Sequence, residues 1–138
     1  MKNLYEITAT AQGGRNGHVT SSDGVLDLQL ALPKGLGGPG GAAPNPEMLF
    51  AAGYAACFDS ALAFVAAQRK VSAGATRVDA TVGIGPRADR GFALSVQLRV
   101  QVPGLPPEEA RALVEAAHAI CPYSHAVRGN IAVTLELA

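Results

Sequence analysis

Two thiols are the residues best equipped for chemistry in this chain of 138 residues: Cys57 and Cys121. A cysteine pair outside an oxidising compartment suggests redox chemistry, metal binding or buried thiols. Cys57 falls inside a long apolar run, where a free cysteine ordinarily packs as a small hydrophobe. Cys121 differs, because it follows His118 at helical spacing and precedes the loop-like stretch Pro122-Tyr123-Ser124-His125. Cys57, Cys121, His118 and His125 together are four soft ligands that invite a zinc reading. Their spacing matches none of the familiar zinc patterns, so no metal site is expected, and His118 and His125 read as a helix-surface and a loop residue. Arg15, in a Gly-rich turn, and Glu47, at a helix start, are by themselves a solvated cation and a dipole-facing acid.

These residues must be positioned by an α+β framework. The run from Leu4 to Ala11 is a first strand ending at the Gln12-Gly13-Gly14 turn, and Leu26, Leu28, Leu30 and Leu32 alternate with smaller or polar residues as a second. The Gly-rich stretch from Pro33 to Pro46 lacks the Gly-Lys-Ser/Thr ending of a Walker loop, and Pro39, Pro44 and Pro46 intervene where a dinucleotide-binding loop needs a helix to open on its last glycine, so it reads as a linker. Asn45-Pro46-Glu47 combines an N-cap, a proline at the first helical position and a first-turn acid. The helix it opens runs from Pro46 to about Lys70, apolar enough to be buried nearly all round. Period-2 alternation over Val78–Ile84 and Phe92–Val102 predicts a long hairpin; Pro106-Pro107-Glu108-Glu109 opens a second helix that Pro122 ends, and Ile131–Leu137 is a final strand. The predicted architecture is an antiparallel sheet wrapped around a long buried central helix, in one domain spanning residues 1–138.

Composition narrows the partners. Hydrophobic residues make up 49% and charged residues 16%, the balance of a folding chain. Eleven basic against eleven acidic residues leave no net charge, which removes the electrostatic case for nucleic acid or anionic lipid and leaves little to oppose self-association. No stretch approaches the roughly 18 consecutive apolar residues of a membrane span. The first six residues carry neither a basic nor an apolar signal region, so a cytoplasmic location is expected.

Four segments carry a specific resemblance. They are Gly13-Gly14-Arg15-Asn16-Gly17, Ser22-Asp23-Gly24, the block from Asn45-Pro46-Glu47 through Ala55-Ala56-Cys57-Phe58, and Cys121-Pro122-Tyr123-Ser124 continuing to Arg128-Gly129-Asn130. In this order, over the whole chain, they closely resemble the organic hydroperoxide resistance (Ohr) proteins of the Ohr/OsmC family. The Cys-Pro-Tyr-Ser and Arg-Gly-Asn segments favour the Ohr branch over the osmotically inducible one.

The resemblance implies an intertwined homodimer and a thiol peroxidase that reduces organic hydroperoxides to alcohols. Cys57 would be the peroxidatic nucleophile and Cys121 the resolving cysteine, the two joining in a disulfide. Arg15 would activate Cys57, and Glu47 would hold Arg15 through a bidentate pair. Lipoyl groups on lipoylated proteins, or dihydrolipoamide, would be the reductant, with no cofactor or metal. The need is physical: a free thiol is only a few per cent thiolate at neutral pH, and an apolar setting lowers that fraction unless a cation is near. With Phe58, Leu62, Phe64 and Tyr123 as candidate substrate contacts, a lipid or aryl hydroperoxide should fit better than hydrogen peroxide. Glu47 and Cys57 are ten positions apart on one helix, about 15 Å of axial rise. An Arg15 that touches both must therefore bridge two subunits. The rival reading from another class is a hot-dog-like thioesterase or acyl-binding module using Glu47, which leaves both cysteines unexplained; a third is a non-catalytic or zinc-stabilised oligomer.

Overall fold

The computed structural model describes all 138 residues, which gather into two compact units, Met1–Leu49 and Phe50–Ala138. The first unit is built on a three-stranded antiparallel meander of β1 (Ala9–Gln12), β2 (His18–Ser21) and β3 (Asp27–Gln29). Gly13 and Gly14, at φ 79° and 61°, turn the chain from β1 into a single 3-10 turn, Gly14–Asn16. Gly17 closes that turn so tightly that a Cβ there would lie 1.8 Å from the Gln12 carbonyl oxygen. At the β2–β3 turn the Asp23 carboxylate accepts the Val25 N–H (3.1 Å) and the Ser21 hydroxyl accepts that of Leu26 (2.9 Å).

The strands of this unit are shorter than the alternation predicts. Pairing of the first strand starts at Ala9 rather than Leu4, because β2 turns away at Ser22-Asp23-Gly24 and offers Leu4, Tyr5 and Ile7 no partner. The ladder of β3 stops at Gln29, beyond which Leu30 still donates to the Gly17 carbonyl (2.8 Å).

Helix α1, Pro46–Arg69, starts in the first unit and runs through the second. The Asn45 side chain accepts the Met48 N–H at 2.9 Å, the expected N-cap bond. At the other end Lys70, at φ 56°, and Val71 donate back to the carbonyls of Ala67 (3.2 Å) and Ala66 (3.0 Å), a Schellman close with lysine where glycine is usual.

Only one stripe of α1 is buried: Tyr54, Phe58, Ala61, Leu62, Val65 and Ala66. The expectation of a helix buried all round is corrected, since one chain supplies packing partners on one side alone and leaves Phe64 exposed on the other. An 18-residue window of α1 has a mean hydropathy of 1.6, long and apolar enough by composition to cross a membrane. Asp59 and Ser60 interrupt that window, so it is no unbroken apolar run, and the same helix supplies the largest buried side chains of the core.

In the second unit β4 (Arg77–Pro86) and β5 (Phe92–Gln101) form the predicted hairpin in full ten-residue register. Val96, Leu98 and Val100 of β5 turn inward. Helix α2 (Pro107–Ile120) places Ala110, Leu113, Val114 and Ala117 on its buried face, at the i, i+3, i+4, i+7 spacing of one stripe. A short α3 (Pro122–Val127) leads to β6 (Val133–Leu137). Strand β6 pairs parallel to β5, so the sheet is mixed and not wholly antiparallel. The long connection through α2 and α3 returns the chain to the end from which β5 started, as a parallel pair requires.

Candidate active site

Cys57 and Cys121 lie 64 positions apart in sequence, and their sulfurs are 3.7 Å apart, both as free thiols. Each is placed by a specific local cause. Cys57 sits on α1 beside the buried stripe and is partly exposed. Cys121 is the one residue between α2 and α3, extended at φ −60° and ψ 124° and fully buried. Pro122 forces this corner, because a proline ring cannot continue α2 but suits the first position of a new helix.

Cys57 opens into an apolar cavity of about 410 Å³ lined by Cys57, Ser60, Ala61, Phe64, Ile120 and Pro122. Its size falls within the range of small-molecule sites. Of the substrate contacts expected from sequence, Phe64 lines this cavity. Phe58 and Leu62 are fully buried in the core cluster instead, because they lie one and five positions after Cys57 and so turn away from it around the helix. Tyr123 packs in an aromatic group with Phe50 and Tyr54, ring centroids 6.2 and 5.8 Å away, and covers Gly53 so closely that a Cβ there would meet its hydroxyl at 2.8 Å. Ser60, Ala61, Ile120 and Pro122 were missed. The spacing i, i+3, i+4, i+7 from Cys57 picks out Ser60, Ala61 and Phe64, and the two residues flanking Cys121 complete the wall.

Burial pushes the Cys57 thiol above its ordinary pKa; the backbone N–H of Tyr123 pulls it back in part, and the neighbouring Cys121 thiol raises it again. The sulfur therefore sits where a substrate can reach it but where its reactive anion is disfavoured.

In the first unit Arg15, in the 3-10 turn, meets Glu47, in the first turn of α1. Their two hydrogen bonds, Nη1 to Oε2 at 2.7 Å and Nη2 to Oε1 at 2.6 Å, form the bidentate fork that guanidinium and carboxylate geometry allows. The pair holds the Glu47 carboxyl below the usual carboxylate range and raises the Arg15 guanidinium further. The turn is itself fastened: Gln29 donates to the Gly17 carbonyl (2.8 Å) and the Asn16 carbonyl (3.2 Å), and the Asn16 side chain accepts the Leu32 N–H at 2.9 Å.

His118 and His125 bring no thiol into a ligand cluster: no three His, Cys, Asp or Glu side chains converge anywhere in the chain. His118 instead hydrogen-bonds Ser124 through Nδ1 at 2.9 Å, and Ser124 in turn meets the Tyr54 hydroxyl at 2.8 Å. Neither Ser124 nor Tyr54 stands out by residue type, so sequence spacing alone does not reveal this network.

Known proteins share this sequence and fold. A family model described as OsmC-like protein matches residues 38–136. An organic hydroperoxide resistance protein of Xanthomonas axonopodis pv. citri is 54% identical, covering 99% of this chain and 96% of its own. The organic hydroperoxide resistance protein OhrA of Bacillus subtilis is 50% identical over 98% of this chain and 96% of its own. The crystal structure of an organic hydroperoxide resistance protein from Elizabethkingia anophelis superposes with a TM-score of 0.96 at 56% identity, covering 100% of this chain and 99% of that one. With agreement in sequence and fold along nearly its full length, the chain belongs to the OsmC-like family, on its organic hydroperoxide resistance branch.

Proposed function

We propose that this protein is a cysteine-based peroxidase that reduces organic hydroperoxides to alcohols. The observation that carries the reading is the pair of free thiols 3.7 Å apart, one at the wall of an apolar cavity and the other fully buried behind it. The relatives' names, organic hydroperoxide resistance protein, support the same detoxifying role.

The Cys57 thiolate attacks the distal peroxide oxygen, the O–O bond breaks, and the alkoxide leaves as alcohol after taking a proton; the sulfur is left as a sulfenic acid. The Cys121 thiol then attacks that sulfur, the S–O bond breaks, and water departs as the disulfide forms. A dithiol of the dihydrolipoyl type reduces the disulfide by exchange and is itself oxidised to its cyclic disulfide. The apolar wall of Ala61, Phe64, Ile120 and Pro122 favours a lipid or aryl hydroperoxide over hydrogen peroxide, which would leave its second hydroxyl unpaired there.

Activation of Cys57 falls to the Arg15–Glu47 fork of a partner subunit. A guanidinium stays charged under all working conditions, and beside the sulfur it offsets the burial that raises the thiol. Within one chain Glu47 lies ten residues before Cys57 on α1, about 15 Å along the axis, so a guanidinium clamped to Glu47 serves the thiol of a second chain in a homodimer.

The deciding experiment measures consumption of cumene hydroperoxide with dihydrolipoamide, for the wild type and Cys57→Ser, beside an acyl-CoA hydrolysis control. Turnover by the wild type, its loss in Cys57→Ser and no thioester cleavage are expected. Equal turnover in Cys57→Ser, or thioesterase activity dependent on Glu47, would overturn the reading.

A further inference from the structure

The corner that carries Cys121 is tied down by polar contacts in an otherwise apolar interior. Ser124 is fully buried. A hydroxyl in such a place is unfavourable unless paired, and Ser124 is paired twice, to the Tyr54 hydroxyl at 2.8 Å and to His118 Nδ1 at 2.9 Å. The positions matter. His118 stands three residues before Cys121 and Ser124 three after, so their bond closes across the α2–α3 corner with the cysteine at its apex. Tyr54 stands three residues before Cys57 on α1, so the second bond fastens the same corner to the helix that holds the other sulfur. Arg128 adds a tie from outside, its Nη2 donating to the His118 carbonyl at 2.8 Å.

We infer that the chain Tyr54–Ser124–His118 is a positioning device for the resolving step, holding Cys121 close enough to an oxidised Cys57 that disulfide closure outruns a second oxidation. The inference rests on the peroxidase reading above. The sulfurs stand 3.7 Å apart and must approach to about 2.05 Å, a short movement that demands alignment rather than refolding. Two fates compete for the sulfenic acid. In closure the Cys121 sulfur bonds to the Cys57 sulfur, the S–O bond breaks, and the thiol proton leaves with the hydroxyl as water. In the other, a second hydroperoxide gives its distal oxygen to the sulfenic sulfur and departs as alcohol, leaving a sulfinic acid. A corner free to swing lowers the rate of the first and leaves the second untouched. The hydrogen-bond count is complete when Tyr54 donates to Ser124 and Ser124 donates to a neutral imidazole. Burial and the nearby Arg128 charge, which hold His118 below the ordinary imidazole pKa, favour that form.

The test follows reduced full-length protein mixed rapidly with cumene hydroperoxide, counting sulfenic acid, disulfide and sulfinic acid at Cys57 by mass spectrometry with dimedone quenching. His118→Ala and Ser124→Ala are expected to close the disulfide about tenfold more slowly, with sulfenic acid formation at the wild-type rate. Sulfinic acid should then appear at about tenfold lower hydroperoxide than in the wild type. His118→Asn, whose amide branches at the atom where the imidazole begins, should restore closure. His118 is half-buried, so the His118→Ala and His118→Asn comparison decides the matter even where Ser124→Ala fails to fold. Wild-type partition between disulfide and sulfinic acid in His118→Ala, or no recovery in His118→Asn, overturns this inference and leaves the peroxidase intact. Persistence of two free thiols in the wild type after hydroperoxide, with neither sulfenic acid nor disulfide formed, overturns the peroxidase reading and this inference with it.

Discussion

Cys57 presents an electrostatic conflict, and its resolution can be measured as a pKa. Removal from water pushes the thiol up, the Tyr123 N–H offsets this only in part, and the neighbouring Cys121 raises it further. A raised thiol pKa means less thiolate at neutral pH than an ordinary cysteine, whose pKa is about 8.5, so the isolated arrangement is a poor nucleophile. An arginine brought to the sulfur acts in the opposite direction. The rate of Cys57 alkylation by iodoacetamide, followed against pH in a Cys121→Ser background, should have its midpoint below about 8.5 in the parent and above it in Arg15→Ala. Peroxidase turnover in Arg15→Ala at pH 7 should fall by about a hundredfold or more. Coincident alkylation profiles would show Arg15 to be a turn residue only. The Arg15–Glu47 fork was legible from motif resemblance, and the structure gives it the expected bidentate form. The cavity wall was less legible. Nearness to Cys57 and apolar character point to Phe58 and Leu62, whereas helix periodicity turns them inward and leaves the wall to Ser60, Ala61 and Phe64.

The helices and strands whose ends carry strong local chemistry were readable in advance. Asn45-Pro46-Glu47 marks the start of α1 because cap, proline and acid each satisfy a different need of a helix N-terminus, and the Asn45 bond to Met48 N–H is there at 2.9 Å. The direction of β6 was not readable, since alternation assigns faces of a strand and says nothing of which way its neighbour runs. Nor was the length of β1, which is set by where its partner turns off. The cap bears on the site because Glu47 occupies the helix's first turn. Asn45→Ala should cost about 1 kcal/mol of stability and loosen the first turn that presents Glu47 to Arg15. Acid strengthens the test. A Glu47 carboxyl held below its unfolded pKa contributes stability that is fully present above that unfolded value, and this is lost as pH falls through the lowered folded value. Thermal melts of wild type and Glu47→Gln should therefore differ at pH 7 and converge at acid pH. A constant difference across that range would show that the carboxylate's charge contributes nothing.

At the scale of the whole molecule, one chain leaves too much apolar surface uncovered. In the second unit Phe64 of α1 is exposed, and the first unit exposes Leu4, Tyr5, Ile7, Val25, Leu26 and Met48. Exposed apolar side chains of this size are what a second subunit would cover, and covering those on α1 would complete the burial that its composition predicts. A two-fold dimer has a consequence that activity alone can read. The Arg15–Glu47 fork forms within one chain, so each active site would take its fork from one subunit and Cys57 from the other. Cys57→Ser and Glu47→Ala homodimers are each expected to be inactive or nearly so. After unfolding and refolding together in equal amounts, half the dimers are mixed, and each mixed dimer has one intact site. Recovery should approach about a quarter of wild-type activity, as random two-fold pairing dictates. Mixing Arg15→Ala with Glu47→Ala should recover nothing, because every fork in that mixture lacks one of its two members. Monomers by sedimentation at micromolar concentration, or no gain over the parents in the first mixture, would show that each chain completes its own site.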